Sequence, residues 1–187
     1  MSAEVLQQAF ASTAGVLANT KDGQLDGPTP CASWRVRDLV NHIVGGTTYF
    51  AVTAETGEAP EVGGEDHTAG DFKAEFDAGA KRAVAAFAAD GVMEKALKLP
   101  FGELPGSIFV YIAATDTFTH GWDLAKATGQ STDLDPALAK QLLDAVSSFL
   151  PDAMRGPDGQ APFGPKVDVA SSASAADRLA GFMGRTP

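Results

Sequence analysis

The sequence predicts an all-α protein built as a helical bundle. Long stretches of the chain have apolar residues at helical spacing, and stretches rich in Gly and Pro separate them. Only one segment, 96–105, alternates in the manner of a strand, and it is long enough for a short hairpin at most. Four long amphipathic helices make a bundle the expected architecture, because each must bury its apolar stripe against neighbours.

The first three helices are predicted at 2–19, 33–54 and 71–89, with Ser2 as a candidate N-cap of the first. Each has an apolar stripe at helical spacing. In the second helix this stripe consists of Val36, Leu39, Val40, Ile43 and Phe50. The intervening residues 56–70 are acidic and glycine-rich, and we expect a long exposed loop there.

Three more helices are predicted in the second half of the chain, at 107–128, 135–150 and 175–183. Asp135 is the expected cap of the second of these, and Pro136 occupies its first position, where a missing backbone N–H costs nothing. The last helix is short. The whole chain, 1–187, is therefore expected to form a single domain, with the tail 152–187 packed on it.

Composition excludes several classes of function. A formal net charge of −10 and the lack of any basic run predict no nucleic-acid partner, because phosphate binding needs clustered Lys and Arg. No apolar run approaches the ~20 residues that span a bilayer, so we expect no membrane partner. The N-terminus does not resemble a signal peptide, and the single cysteine fits a reducing compartment. We therefore expect a cytoplasmic protein.

The stretch 116–123 (DTFTHGWD) carries the strongest chemical signal in the chain. Asp116 and His120 are four residues apart in a predicted helix, so their side chains lie on one face, one turn apart. A divalent metal ion requires such converging oxygen and nitrogen donors. His42, one of three histidines in the chain, lies in the second predicted helix. We therefore predict a mononuclear metal site made by His42, Asp116 and His120.

A simpler interpretation stays open on spacing alone. Asp116 and His120 also fit an ordinary ion pair on a helix surface, and His42 fits a partly buried histidine. Inside the second helix, Gly45 and Gly46 each cost roughly 1 kcal/mol relative to alanine. Close approach of a ligand or of another helix would justify that cost, and a packing reason alone would explain it equally well.

Other residues near these motifs have two possible roles. Asp123 either accepts a hydrogen bond from a metal-bound histidine or is a solvated surface residue. His67 lies in the acidic loop and could reach the site as an accessory ligand or a proton carrier. We expect it instead to be a solvated loop histidine. Cys31 is a candidate thiolate ligand or nucleophile, but the second helix begins ~14 Å from His42 along its axis, so shared ligation with His42 requires the loop to fold back. We expect a buried structural cysteine, because a free cysteine behaves as a small hydrophobe. Both tryptophans are expected to be packing residues.

Four segments together resemble a known superfamily: TPCASWRVRDLVNHIVGG, LPFGELPG, DTFTHGWDLAKATGQ and FGPKVDVASSASAADRLAGFMGR. They are similar to the actinobacterial metal-binding branch of the DinB/YfiT-like superfamily, and that branch is similar to the N-terminal domain of mycothiol-dependent maleylpyruvate isomerase. The resemblance implies a DinB-like up-down four-helix bundle, here with extra short C-terminal helices. It also implies one metal between the helices, held by His42, Asp116 and His120. The isomerase branch has glutamate at position 116, and many DinB-like proteins have histidine there.

The resemblance further implies an enzyme that acts with a low-molecular-weight thiol such as mycothiol, in isomerase or S-transferase chemistry on a small-molecule substrate. Two imidazoles and one carboxylate suit zinc, nickel or ferrous iron, and this donor set alone does not choose among them. We expect zinc, with nickel or iron as alternatives. Two other functions stay open: metal-dependent hydrolysis of a small substrate, and a non-catalytic metal-binding or sensing module, which could form a homodimer.

Overall fold

The computed structural model describes residues 3–61, 63–156, 160–161 and 163–187, and within these ranges the chain is mostly helical. The described part contains six α-helices: α1 (Glu4–Asn19), α2 (Val36–Thr56), α3 (Phe72–Ala88), α4 (Gly106–Ala127), α5 (Pro136–Phe149) and α6 (Ala175–Phe182). Strands β1 (Ala96–Leu99) and β2 (Gly102–Pro105) form an antiparallel hairpin between α3 and α4. The predicted helical class is confirmed, and the small sheet corrects a strictly all-α description.

The helix boundaries follow from local capping chemistry. Asp135 accepts hydrogen bonds from two backbone N–H groups at the start of α5, and Ser174 accepts one at the start of α6, as predicted. Asp71 caps α3 in the same way. Gly57, with φ of 89°, ends α2 in the left-handed conformation that favours glycine. The predicted cap of α1, Ser2, lies outside the described residues.

Helix α4 lies at the centre of the molecule. It packs against α1, α2, α5 and α6, and also touches the hairpin. From Ala113 to Ala125 every residue of α4 is buried except Asp116, which is partly exposed. A helix enclosed on nearly all sides can therefore present only one carboxylate to a solvent-connected space.

Small residues allow close helix contacts around α4. A Cβ atom on Gly121 would lie 2.5 Å from Thr13 Oγ1 of α1. The Thr13 hydroxyl donates a hydrogen bond of 3.0 Å to the Thr117 carbonyl oxygen of α4. Gly121 follows His120 directly, so this close contact also fixes the position of the histidine backbone.

Large aromatic side chains fill the core, and burying one fully contributes about 1.5–3 kcal/mol. Trp122 is 1% exposed, and its Nε1–H donates a 2.9 Å hydrogen bond to Asp177 of α6. This bond ties the C-terminal helix to the centre of the fold. Among the described residues, no helix combines the length and the apolar character needed to cross a bilayer.

Candidate metal centre

The loop before α2 folds back over the start of that helix. The Trp34 backbone N–H donates to the Cys31 carbonyl oxygen, and the Thr29 hydroxyl donates to the carbonyl oxygens of both Cys31 and Trp34. The Arg35 N–H donates to the Asp38 carboxylate, so the helix starts at Val36, three residues after the predicted start. This turn carries Cys31 and Trp34 towards α4.

The three side chains that we predicted as metal ligands lie together. The ring centroids of His42 and His120 are 4.5 Å apart. Asp116 lies between them, with Oδ2 at 3.4 Å from His42 Nε2 and Oδ1 at 3.5 Å from His120 Nε2. One ligand atom from each residue lies within 4.8 Å of the others. The surface ion pair that competed with this interpretation does not describe the arrangement, because two helices contribute to it.

The electrostatics of this cluster favour a cation at its centre. Burial by itself lowers the pKa of His42, but the Asp116 carboxylate outweighs burial and raises this pKa above its ordinary 6.5. Burial tends to raise the pKa of Asp116, yet positive charge on the two histidines, aided by Arg185, lowers it to about 2. Asp116 is therefore ionised at neutral pH, and a proton or a metal ion is stabilised beside it.

Asp123 lies one turn beyond His120 and is fully buried. Its Oδ2 is 3.0 Å from His120 Nδ1 and 2.8 Å from Arg185 Nη2. Burial alone would raise the pKa of Asp123, but the His120 hydrogen bond and the Arg185 charge lower it instead. Of the two roles left open for Asp123, the structure excludes the solvated one.

The Asp123 carboxylate fixes which nitrogen of His120 carries the proton. An ionised carboxylate only accepts hydrogen bonds, so His120 Nδ1 must donate to it. In a neutral His120 imidazole, the lone pair then lies on Nε2, the nitrogen that faces Asp116. His42 Nε2 is buried and has no hydrogen-bond partner among the described residues. Two imidazole nitrogens and one carboxylate oxygen thus converge on the same point, which is the donor set a divalent metal ion needs.

Cys31 does not behave as predicted. It is partly buried instead of being a core residue, and its Sγ lies 3.4 Å from Asp123 Oδ2 and 3.7 Å from Arg185 Nη2. The loop before α2 folds back, which was the stated exception to the distance argument, and it places the thiol beside Asp123 and Arg185 instead of in the core. Burial, followed by the Asp123 charge, raises the Cys31 pKa to about 12. The group is thus a neutral thiol at physiological pH, a poor nucleophile and a poor metal ligand.

Cys31, His120 and Asp123 form a second group whose donor atoms also lie close together. A metal ion there would compete with Arg185, whose guanidinium already binds both carboxylate oxygens of Asp123. It would also need His120 Nδ1, which is committed to Asp123. The group containing Asp116 has no such competing cation, and it is the better candidate.

Trp34 packs against the candidate ligands. Its ring centroid lies 4.8 Å from that of His42 and 5.5 Å from that of His120. The predicted packing role therefore applies to the site itself, because the indole restricts the rotation of both imidazoles.

His67 lies apart from the ligand cluster. Its Nδ1 is 2.8 Å from Glu75 Oε2 of α3, and its side chain is only 14% exposed. A Cβ atom on Gly45 would meet His67 Nε2 at 3.5 Å, so the ring packs on α2. The expectation of a solvated loop histidine was wrong, since a short 3-10 helix at His67–Ala69 holds the ring against the helices.

Two cavities meet at the candidate ligands. An apolar cavity of about 630 Å³ and a more polar cleft of about 440 Å³ share His42, Asp116, Phe163 and Met183 as lining residues. Cys31, Trp34 and Arg185 line only the polar cleft. A metal ion at this junction would be open to small molecules from two sides.

Sequence reasoning did not identify Arg185, although it lies within the last of the segments that carry the resemblance. An arginine two residues from the C-terminus carries no periodicity or spacing that relates it to α4. The sequence contains one indirect signal for a cation at this site: the carboxylate at position 123 needs a cationic partner if it is buried.

Residues 6–125 match the family model described as the mycothiol maleylpyruvate isomerase N-terminal domain. The chain belongs to this family. Within the matched segment lie Cys31, His42, Asp116, His120 and Asp123, whereas Arg185 lies beyond it.

Two proteins of Mycobacterium tuberculosis are similar to this family member over its entire length. They are uncharacterized protein MT0763 of strain CDC 1551 / Oshkosh and uncharacterized protein Rv0738 of strain ATCC 25618 / H37Rv. Each is 41% identical over 186 residues, which cover 100% of this chain and 97% of the relative. No solved structure shows a significant match to the chain.

Proposed function

We propose that this family member is a metal-dependent enzyme acting with a low-molecular-weight thiol of the mycothiol type, in isomerase or S-transferase chemistry. The observation that carries the proposal is that the two ring nitrogens of His120 have different partners. Its Nδ1 is held by Asp123, while its Nε2 faces Asp116, whose other carboxylate oxygen lies 3.4 Å from His42 Nε2. Histidines that bind metals have this arrangement, with the second ring nitrogen donating to a carboxylate.

The architecture proposed with this function is a DinB-like up-down four-helix bundle with its ligands on two helices. Contacts of α1 with α3 and α4, and of α2 with α3 and α4, support it. The short helix α6 packs on α5 and α4, outside these four helices.

His42, Asp116 and His120 would hold one divalent metal ion. Two nitrogens and one oxygen suit zinc, nickel or ferrous iron, and zinc is the ion that we propose. Three protein ligands leave coordination positions free, which is typical of catalytic sites and not of structural ones. When bound, such an ion lowers the pKa of a thiol or water that it coordinates.

The polar cleft is the proposed entrance for the thiol. The buried Thr119 hydroxyl lines this cleft and has no hydrogen-bond partner among the described residues, so it is available to a polar group of the cosubstrate. In an addition reaction, the thiol sulfur bonds to an electrophilic carbon and the thiol proton ends on the neighbouring carbon, so no oxidant is required. Cys31 contributes a neutral thiol to the cleft wall and does not compete as a nucleophile.

Cobalt substitution tests the proposal. Co²⁺-loaded protein is titrated with mycothiol and with N-acetylcysteine, and N-acetylserine serves as the matched control that lacks sulfur. The expected result is a thiolate-to-cobalt charge-transfer band with the two thiols alone. His120→Ala is expected to abolish metal uptake, whereas His67→Ala, which changes a histidine outside the cluster, retains it.

The outcomes separate the alternatives as well. A cobalt spectrum that does not change when thiol is added, together with ester or amide turnover, contradicts the thiol proposal and favours metal-dependent hydrolysis. Metal that binds without an open coordination position favours a non-catalytic module. The cytoplasmic location and a homodimeric state stay predictions.

A further inference from the structure

The apolar cavity begins at the candidate ligands and extends away from the polar cleft. His42 and Asp116 form one part of its wall, and Phe101 and Leu104 of the hairpin form another. Its volume of about 630 Å³ lies within the range of small-molecule sites. A second reactant can therefore occupy it while the thiol occupies the other cleft.

The wall of this cavity disfavours anions. Most of its lining residues are aliphatic or aromatic, and among the described residues no Lys or Arg takes part. Among the residues that the structure describes, the acidic residue in this wall is Asp116, which is itself a candidate metal ligand. A metal ion on the candidate ligands can pair with one carboxylate beside it, but a second carboxylate among the apolar side chains would lose its hydration without gaining a cationic partner.

Two polar atoms in the wall are free to bind a ligand. The Thr115 hydroxyl and the Asn41 carbonyl oxygen are buried and have no hydrogen-bond partner among the described residues. Thr115 is 2% exposed and precedes Asp116, while Asn41 precedes His42. One uncharged polar group of a ligand, placed beside the candidate metal ligands, would satisfy them.

Two residues of α2 without side chains also line this cavity. They are Gly45 and Gly46, and a Cβ atom on Gly46 would meet only Phe50 of the same helix. Gly46 therefore leaves room for a ligand, whereas Gly45 allows the close contact of His67 with α2. At the hairpin, Phe101 is 53% exposed and is the large hydrophobic residue left exposed in the described part of the chain. An aromatic ring in that position offers apolar contact to an entering molecule.

We propose that this cavity binds an uncharged, predominantly apolar electrophile, and that the acceptor of this protein is not a dicarboxylate. The inference rests on the proposed function, because it specifies the second substrate of that site. The apolar part of the acceptor packs against Ile108, Ile112 and Phe149, and its one polar group lies beside Thr115.

Binding of the neutral fluorescent probe N-phenyl-1-naphthylamine tests the cavity directly. The full chain is expected to bind the probe, and Ile112→Trp, which fills the cavity, is expected to weaken binding at least tenfold. Gly46→Leu fills the same space from α2 and provides a second variant should the first fail to fold. Leu143→Trp is the matched control, because Leu143 is partly buried on α5 but does not line the cavity.

The charge preference is tested with two acceptors that share one carbon skeleton. Dimethyl maleate is uncharged, and maleate is its dicarboxylate. Dimethyl maleate is expected to displace the probe at a concentration at least tenfold below that of maleate. Equal or stronger displacement by maleate would overturn the inference.

The same titrations, run on metal-free and Co²⁺-loaded protein, separate this inference from the proposed function. If cobalt and thiol bind but the probe does not, or if Ile112→Trp leaves its affinity unchanged, the cavity assignment alone is overturned. If the probe binds and Ile112→Trp removes it, the cavity assignment is supported, and a simultaneous failure of cobalt uptake counts only against the metal site.

Discussion

Replacing Asp123 with asparagine tests the link between the buried ion pair and the candidate metal site. The change keeps the shape of the side chain and removes its charge. Asp123 is 0% exposed, and it accepts hydrogen bonds from Arg185 and from His120 Nδ1. The variant therefore leaves a nearly buried guanidinium without its counter-ion, and a histidine without the carboxylate that orients it.

Both effects have expected magnitudes. Removing one partner of a buried ion pair costs about 3–5 kcal/mol. The amide oxygen of asparagine still accepts one hydrogen bond, so we expect about 3 kcal/mol for Asp123→Asn. For a chain of this length, that corresponds to a fall of about 6–12 °C in the midpoint of thermal unfolding. Loss of the carboxylate behind His120 should also weaken metal affinity by about 10–100-fold.

Urea unfolding of the metal-free protein and metal titration with a competing chelator measure these two effects separately. Asp144→Asn is the matched control, because Asp144 makes a 2.6 Å ion pair with Lys140 on the exposed surface of α5. That pair should be worth only about 0.3–0.5 kcal/mol. The double variant Asp123→Asn with Arg185→Met removes the unpaired cation, so it should recover stability without recovering metal affinity. A loss of stability no larger than that of the control, with metal affinity unchanged, would refute the reasoning.

Four further predictions follow from the structure. Metal affinity should fall as pH falls through the raised pKa of His42, because protons compete with the metal for the same nitrogen. Chelator competition between pH 5 and 8 measures this affinity, and an affinity that does not change with pH would contradict the prediction. In the metal-free protein, the contribution of His42 to stability is present below pH 6.5 and is lost as pH rises through its folded-state pKa, whereas that of Asp116 is lost as pH falls from 3.8 towards 2. Urea unfolding across pH measures both, and the opposite slopes would contradict the shifts. Cys31, with its pKa near 12 instead of 9.0, should react with a disulfide reagent at pH 8 about 1000-fold more slowly than in urea-unfolded protein, and equal rates would mean that its thiol is not protected. Gly121→Ala should lower the free energy of unfolding by about 1–3 kcal/mol, because the added methyl overpacks the contact with α1. In the control Gly15→Ala, no atom lies near the new methyl, and the free energy of unfolding should rise by up to about 1 kcal/mol. A stabilised Gly121→Ala variant would mean that α1 and α4 can separate at no cost.

The helices could be predicted because their signals are local. Asp135 caps α5 and Ser174 caps α6, as predicted. Helical spacing placed the ends of α4 within one residue of where they are observed. The start of α2 was harder, because a side-chain bond from Asp38 to the Arg35 backbone delays it. Such a bond depends on the shape of the preceding loop.

The candidate site could be predicted only in part, for a physical reason. Asp116 and His120 are related by helical periodicity, which a sequence displays. Cys31 and Arg185 reach Asp123 from positions 92 and 62 residues away, through a folded-back loop and the C-terminal tail. No periodic pattern encodes such contacts. The separation of an apolar cavity from a polar cleft is likewise a property of the packed helices.

X-ray absorption spectroscopy of the zinc-loaded protein, without added thiol, tests the central claim most directly. The account predicts one zinc ion per chain, with two imidazole nitrogens and a carboxylate oxygen at about 2.0–2.2 Å and no sulfur neighbour. A sulfur atom at about 2.3 Å would place the metal on Cys31 instead, and a chain that binds no stoichiometric zinc would contradict the metal centre altogether.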